Sequence, residues 1–260
     1  MKDILASLCG AIVFYTAIPL PPFLPVSLKK IALWLGWLGI LLGLVVSLAE
    51  AILGWLGFSP LLSSVFAVAW WLYLTGGFHF DGLIDFGDCL GVQGGVKKRL
   101  EVMQDSRVGA FGLLLGFFVL FVKVVALREL YVPVWWGLCQ SLSWGRWAQL
   151  MAITLYPYIR EGGKGAFLKG GIESWRDVVL GSSFILLLGG VELWYFRHSP
   201  WEALLGMGIC LSISLVVAWL CQKPLGGHTG DTYGATVEIT EALILSFFTL
   251  PHPFLRSWWG

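Results

Sequence analysis

Residues 31–53 read IALWLGWLGILLGLVVSLAEAIL, an apolar run in which Glu50 is the only charged residue. A helix that crosses a lipid bilayer needs about 20 mainly apolar residues. This run is long enough to cross, so the sequence predicts a membrane-spanning helix here.

Apolar runs of similar length recur along the rest of the chain. Residues 4–20 are also apolar, and they either span the membrane or lie in its interface. No small-residue cleavage site follows them, so we expect the segment to be retained. The predicted fold is all-α: one membrane-embedded domain over residues 1–260, a polytopic helical bundle of about seven transmembrane helices. The further spans are predicted at about 61–78, 108–128, 133–156, 177–195, 203–220 and 234–250.

The composition supports a membrane protein. The chain is 57% hydrophobic and only 13% charged, and its mean hydropathy is +0.80. Soluble domains carry about 25% charged residues. The surface is therefore expected to face lipid. A net charge of +1 gives no reason to expect a nucleic-acid partner.

The basic residues are distributed unevenly between successive connections. The connection near 54–60 has no Lys or Arg, whereas the connections 21–30, 79–107, 157–176 and 221–233 carry most of them. Cytoplasmic loops are enriched in Lys and Arg. These four connections are therefore predicted to face the cytoplasm, from a protein of the cytoplasmic (inner) membrane.

The first polar motif follows the predicted span 61–78. Asp81, Asp85 and Asp88 are spaced i, i+4 and i+7, so on a helix they share one face. Three carboxylates on one face repel each other unless a cation lies among them. Ligands that are all oxygen favour Mg²⁺, Mn²⁺ or Ca²⁺. We predict that all three bind a metal ion.

The second motif, residues 97–112, mixes basic and acidic side chains just before a span. Its cations are suited to holding phosphate oxygens. We take Lys98, Arg99 and Ser106 as candidate substrate-binding residues, and Arg107 as a candidate catalytic helper.

The third motif is the glycine-rich stretch 226–241. Asp231 and Glu238 are seven residues apart and share a helical face, and acidic residues inside an apolar span usually serve a site. Both are candidate metal ligands. His228 and Thr229 are candidate substrate-binding residues, although a structural role is also open to His228.

Three basic residues stand apart from these motifs. Arg146 lies in mid-span and Arg160 begins a loop; both are candidate substrate-binding residues, with a structural ion pair as the alternative for Arg146. Lys123 is expected near the outer end of its span, with its ammonium reaching toward the interface.

The chain lacks the G-x-x-x-x-G-K-[ST], H-E-x-x-H and G-x-S-x-G motifs. It therefore does not resemble P-loop ATPases, zinc proteases or α/β-hydrolases. Acidic and basic residues on one side of a membrane favour metal-assisted transfer on a phosphate or pyrophosphate substrate.

The three motifs together resemble the cobalamin synthase family. The resemblance is carried by GGFHFDGLIDFGDCLG, KKRLEVMQDSRVGAFG and GGHTGDTYGATVEITE, with weaker matches at SWGRWAQL and PYIREGGKGAF. It runs in order from about residue 12 to 245. Phe78 and Phe80 depart from the smaller aliphatic residues that are usual in the family.

The resemblance implies a reaction in late cobalamin synthesis. Adenosylcobinamide-GDP and α-ribazole, or its 5′-phosphate, would give adenosylcobalamin or its 5′-phosphate with release of GMP, and Mg²⁺ would be the cofactor. We expect a single displacement at phosphorus without a covalent enzyme intermediate. Asp88 and Glu238 are the candidate bases, because each lies on an acidic helical face.

Two other functions remain open alternatives. A CDP-alcohol phosphotransferase would share the aspartate-rich membrane helix, but Asp81-Gly82 is not followed by its Ala-Arg. A secondary transporter would suit acids within spans, although these acids gather at one face. The sequence does not decide which carboxylates bind metal, and a homo-oligomer is possible.

Overall fold

The structure is a computed structural model that describes residues 2–160, 162–163, 165–195 and 200–250. Within these residues the chain is helical, and its only β-pairing is an isolated bridge between Tyr158 and His228. The all-α prediction is confirmed.

Twelve α-helices are present in the described residues, and a short 3-10 turn at Ile31–Trp34 precedes the second. In chain order they are α1 Lys2–Tyr15, α2 Leu35–Trp55, α3 Pro60–Leu74, α4 Phe78–Gly91, α5 Val96–Val102, α6 Ala110–Arg128, α7 Val134–Leu155, α8 Ala166–Gly170, α9 Trp175–Gly181, α10 Phe184–Tyr195, α11 Pro200–Gln222 and α12 Gly230–Phe247.

Helix α7 lies at the centre of the bundle, packed between α2, α11 and α12. Every residue from Trp136 to Ile153 is buried. On the α2 side the contact is close: a Cβ added to Gly39 would lie 2.4 Å from the Cα of Ser143. Small residues at such positions allow membrane helices to pack backbone against backbone.

The number of apolar spans is lower than predicted. By length and apolarity, the described residues contain three candidate spans, or five if each of two bent helix pairs forms one span. The predicted helical membrane bundle stands, and the remaining two of the seven predicted segments fall short of this test of apolarity. The segments 133–156 and 234–250 do form helices α7 and α12, but these are too polar to qualify. Both lie inside the bundle, where other helices rather than lipid cover their polar side chains.

Two predicted spans are bent. The segment 61–78 is helical only to Leu74, and α4 then leaves at 94° to α3. The turn uses Gly76 and Gly77, whose φ angles of 63° and 68° favour glycine. The segment 177–195 is likewise broken into α9 and α10, at 43° to each other.

Helix α1 lies across one end of the bundle. Near the start of α1, the backbone N–H of Ser27 donates a hydrogen bond to the Ala6 carbonyl. Just beyond the end of α1, the backbone N–H of Ala17 donates to the Leu74 carbonyl. The start of α2 and the end of α3 belong to the same end of the bundle, so α1 runs along that end. Of the two alternatives for residues 4–20, the structure supports the interfacial one.

We call this end of the bundle the polar end. It also holds the last turns of α7 and α11, the first turns of α6 and α12, and therefore the four basic connections.

Candidate active site

Three carboxylates lie close together at the polar end: Asp81 and Asp85 on α4, and Asp231 on the first turn of α12. The contact between the two helices is close, because a Cβ added to Gly82 would lie 2.6 Å from the carbonyl oxygen of Asp231. The charges of Asp231, Asp81 and Asp88 all act on the Asp85 carboxylate. We call Asp81, Asp85 and Asp231 the acidic cluster.

Arg160 joins this cluster from the connection after α7. Its Nη1 donates to Asp231 Oδ2 at 2.8 Å. A short backbone pairing brings the two segments together: Ile159 donates its N–H to the His228 carbonyl, and His228 donates to the Pro157 carbonyl. The sequence indicated both Arg160 and Asp231 as site residues, but not that they pair.

His228 and Thr229 shape the start of α12. The Thr229 hydroxyl accepts a hydrogen bond from the Thr232 N–H, and the Thr229 N–H donates to the Thr232 hydroxyl. His228 Nδ1 lies 2.9 Å from that same hydroxyl. Both residues are fully buried. The structure therefore shows Thr229 as the N-cap of α12 and His228 against the same turn, while their predicted role in substrate binding stays a prediction.

Asp88 is engaged by the backbone of another helix. Its carboxylate accepts hydrogen bonds from the N–H groups of Gly109 at 2.7 Å and Gly112 at 2.8 Å, at the start of α6. A carboxylate in this position satisfies free amides and interacts favourably with the helix dipole. Asp88 was predicted as both metal ligand and base, and the structure shows that it also fastens α4 to α6.

The basic segment 97–107 lies at the polar end and is largely open to solvent. Lys98 and Ser106 are exposed, whereas Arg99 donates to the Pro224 carbonyl. Arg107 is 87% exposed and forms a 2.6 Å ion pair with Asp105. Hydrogen bonds from Arg107 lower the pKa of the Asp105 carboxyl to about 2. Arg107 is thus paired within its own loop.

Glu238 and Arg146, predicted as metal ligand and substrate-binding residue, lie in the interior of the bundle. Lys123 Nζ donates to Glu238 at 2.6 Å and to Glu241 at 2.7 Å, and Arg146 Nη1 donates to Glu241 at 2.6 Å. We call these four residues the interior charge cluster. At 1.5 Å per helical residue, Glu238 lies about 10 Å along α12 from Asp231. Glu238 is therefore separate from the acidic cluster.

The expectation for Lys123 was wrong, since its side chain is 1% exposed. Its ammonium also lies 4.1 Å from the centre of the Trp71 ring. One sequence signal was available. Among the charged residues in apolar segments are two cations, Lys123 and Arg146, and two acids, Glu238 and Glu241, and charges in apolar segments tend to pair with one another.

The acidic cluster suits Mg²⁺ by its chemistry. Within the described parts of the chain, no group of three or more Asp, Glu, His or Cys side chains is arranged to hold a metal ion. Mg²⁺ does not require such a group, because it usually binds one or two carboxylates together with water and substrate phosphates. Two carboxylates of the cluster are enough for such a site.

Comparison with known proteins gives consistent results. The family described as Cobalamin-5-phosphate synthase matches residues 7–249. A protein of Synechocystis is 44% identical over 243 residues, covering 92% of each chain. Proteins of Trichormus variabilis and Brevibacillus brevis are 39% and 32% identical, and each alignment covers 96% of this chain and at least 97% of the relative. All three relatives are described as adenosylcobinamide-GDP ribazoletransferase. No solved structure matches the chain.

Proposed function

The chain belongs to the cobalamin-5-phosphate synthase family, and from this we propose how its polar end performs the family's reaction. It is a membrane-bound transferase, an adenosylcobinamide-GDP ribazoletransferase of late cobalamin synthesis. The observation that carries the proposal is the acidic cluster, in which helices distant in sequence bring carboxylates together beside Arg160.

We assign a Mg²⁺ ion to Asp85 and Asp231, the two partly buried members of the cluster. Bound there, the ion would neutralise charge that develops on the pyrophosphate of adenosylcobinamide-GDP. Arg160, which pairs with Asp231, would supply further positive charge toward the same oxygens. We assign to Arg99 and Lys98 the binding of the second phosphate of the pyrophosphate, since basic side chains form charge-assisted hydrogen bonds with phosphate oxygens.

In the reaction, a ribose hydroxyl of α-ribazole, or of its 5′-phosphate, attacks the phosphorus nearer to cobinamide. A new P–O bond forms, the bond to GMP breaks, and the hydroxyl proton must be accepted. We assign that role to Asp81. Its carboxylate has no hydrogen-bond or ion-pair partner in the part of the chain that the structure describes, whereas Asp88 and Glu238 are both engaged.

Asp85→Asn tests the metal assignment. The variant keeps the side-chain size but loses the charge, so GMP release at ordinary Mg²⁺ should fall at least 100-fold and need more Mg²⁺ for half-maximal rate. The measurement is GMP release by purified protein in detergent. Glu101→Gln, an exposed acid on nearby α5, is the matched control and should behave as the wild type. A normal Mg²⁺ response in Asp85→Asn would exclude the assignment.

We propose that the polar end faces the cytoplasm, with the protein in the cytoplasmic membrane. The Lys and Arg residues of the four basic connections support this orientation. The nucleotide substrate would then reach the acidic cluster from the side where such substrates are made.

A further inference from the structure

The interior charge cluster links three helices through a single set of contacts. Lys123 comes from α6, Arg146 from α7, and Glu238 and Glu241 from α12. Glu241 gives one carboxylate oxygen to each cation, and Glu238 gives an oxygen to Lys123. All four side chains are between 0% and 2% exposed, and their formal charges cancel.

Packing alone does not require these charges. Removing four charged groups from water is costly, and well-packed apolar residues often stabilise a protein equally well. Buried ionic groups can instead specify how the helices are aligned, because the charges pair with one another in only one register of the helices. Other contacts of α12 are close packing at glycines, against α4 at Gly82 and Gly234 and against α7 at Gly145, and among the described residues they involve no charged pair.

We propose that the interior charge cluster positions Asp231 for metal binding, by fixing the height and rotation of α12 against α6 and α7. The inference rests on the proposed metal role of Asp231. A slip of α12 by one turn would move Asp231 by about 5.4 Å. Mg²⁺–oxygen distances are only about 2.0–2.1 Å, so a much smaller slip would break the site. Lys123, Arg146, Glu238 and Glu241 act here as positioning residues.

Charge-balanced variants test the proposal. Lys123→Met leaves the cluster with one excess negative charge, and Glu238→Gln leaves one excess positive charge. The double variant leaves Arg146 and Glu241, which still cancel. We expect both single variants to melt at lower temperature and the double variant to recover most of that loss.

If the cluster positions Asp231, metal binding should not recover in the double variant even though its melting temperature does. Mn²⁺ alone serves as the probe, with free Mn²⁺ measured by electron paramagnetic resonance and no substrate present. Each single variant and the double variant should bind Mn²⁺ at least 10-fold more weakly than the wild type and release GMP at least 10-fold more slowly. Lys123 pairs with Glu238 and Glu241 and lies over the Trp71 ring, so its effect on metal affinity would be transmitted through α12.

The matched control is Glu192→Gln, which alters a buried carboxylate on α10 that pairs with Gln140 outside the cluster. It should leave Mn²⁺ binding and turnover unchanged. If the double variant regains both stability and wild-type Mn²⁺ affinity, the cluster is only structural and the inference is overturned. If the wild type binds no Mn²⁺, the proposed metal role fails as well, so the two failures can be distinguished.

Discussion

The Asp88 carboxylate joins α4, which carries Asp81 and Asp85, to the start of α6. Asp88→Ala would leave the amides of Gly109 and Gly112 without their acceptor. Loss of a helix cap costs about 0.5–2 kcal/mol, so the melting temperature should fall by a few degrees. Turnover should fall too, because α4 loses its only side-chain hydrogen bonds to α6 among the described residues.

The Mg²⁺ dependence separates this role from metal binding. In Asp88→Ala, the Mg²⁺ concentration for half-maximal GMP release should stay at the wild-type value. Asp88→Asn keeps one acceptor oxygen, so its melting temperature should lie between those of the wild type and Asp88→Ala. If Asp88→Ala needed as much Mg²⁺ for half-maximal GMP release as Asp85→Asn does, Asp88 would be a metal ligand.

The residue types at the site were predictable, but their pairing was not. Asp81, Asp85 and Asp231 were indicated because acids at helical spacing near a membrane are rarely without function. The partners of Asp88 are backbone amides, and every residue type except proline has one, so the sequence does not identify them. Glu238 was misplaced because its partner Lys123 lies 115 residues away in the chain.

Helix α4 carries the acidic cluster only if it lies directly against α12. Gly82→Ala should therefore be harmful, because the new Cβ would come within 2.6–2.8 Å of the Asp231 backbone and push the helices apart. We expect at least a 10-fold loss of turnover together with a lower melting temperature.

Gly208→Ala on α11 is the matched control for that variant. It also adds one methyl group to a helical glycine, but nothing lies within 4 Å of the new Cβ. It should leave turnover unchanged and stabilise the helix slightly, by up to about 1 kcal/mol. Equal effects of the two substitutions would contradict the close contact of α4 and α12.

Among the elements, long apolar helices were the most predictable. The spans at 31–53, 108–128 and 203–220 correspond to α2, α6 and α11, since lipid exposure demands an apolar surface. The 94° turn after α3 was not predicted, because hydropathy continues across it. Gly76 and Gly77 end α3 by adopting positive φ angles, and the sequence alone does not show that they do so.

At the scale of the whole molecule, the proposed orientation can be checked by labelling. The native cysteines would first be replaced; all five are buried. A cysteine at Gln93, on the polar end, should resist an impermeant maleimide in intact cells. A cysteine at Trp55, 85% exposed at the opposite end, should react. The reverse pattern would show that the polar end faces outward.

The sequence predicted an all-α membrane bundle, but it did not predict which helices lie inside the bundle and which face lipid. Hydropathy shows that helices enter a membrane, yet it does not show which of them face lipid. Helices α7 and α12 carry polar residues because they are surrounded by other helices. Only the packed structure reveals that arrangement.

The interior charge cluster has a consequence for how the protein is made. A charged residue at the centre of a helix opposes insertion by about 2.5–3.5 kcal/mol. Lys123 and Arg146 leave the ribosome well before Glu238 and Glu241, because α12 is synthesised after α6 and α7. During that interval two cations in the nascent chain have no counter-charge. We therefore expect the newly made α6 and α7 to settle fully in the bilayer only when α12 arrives to neutralise these charges.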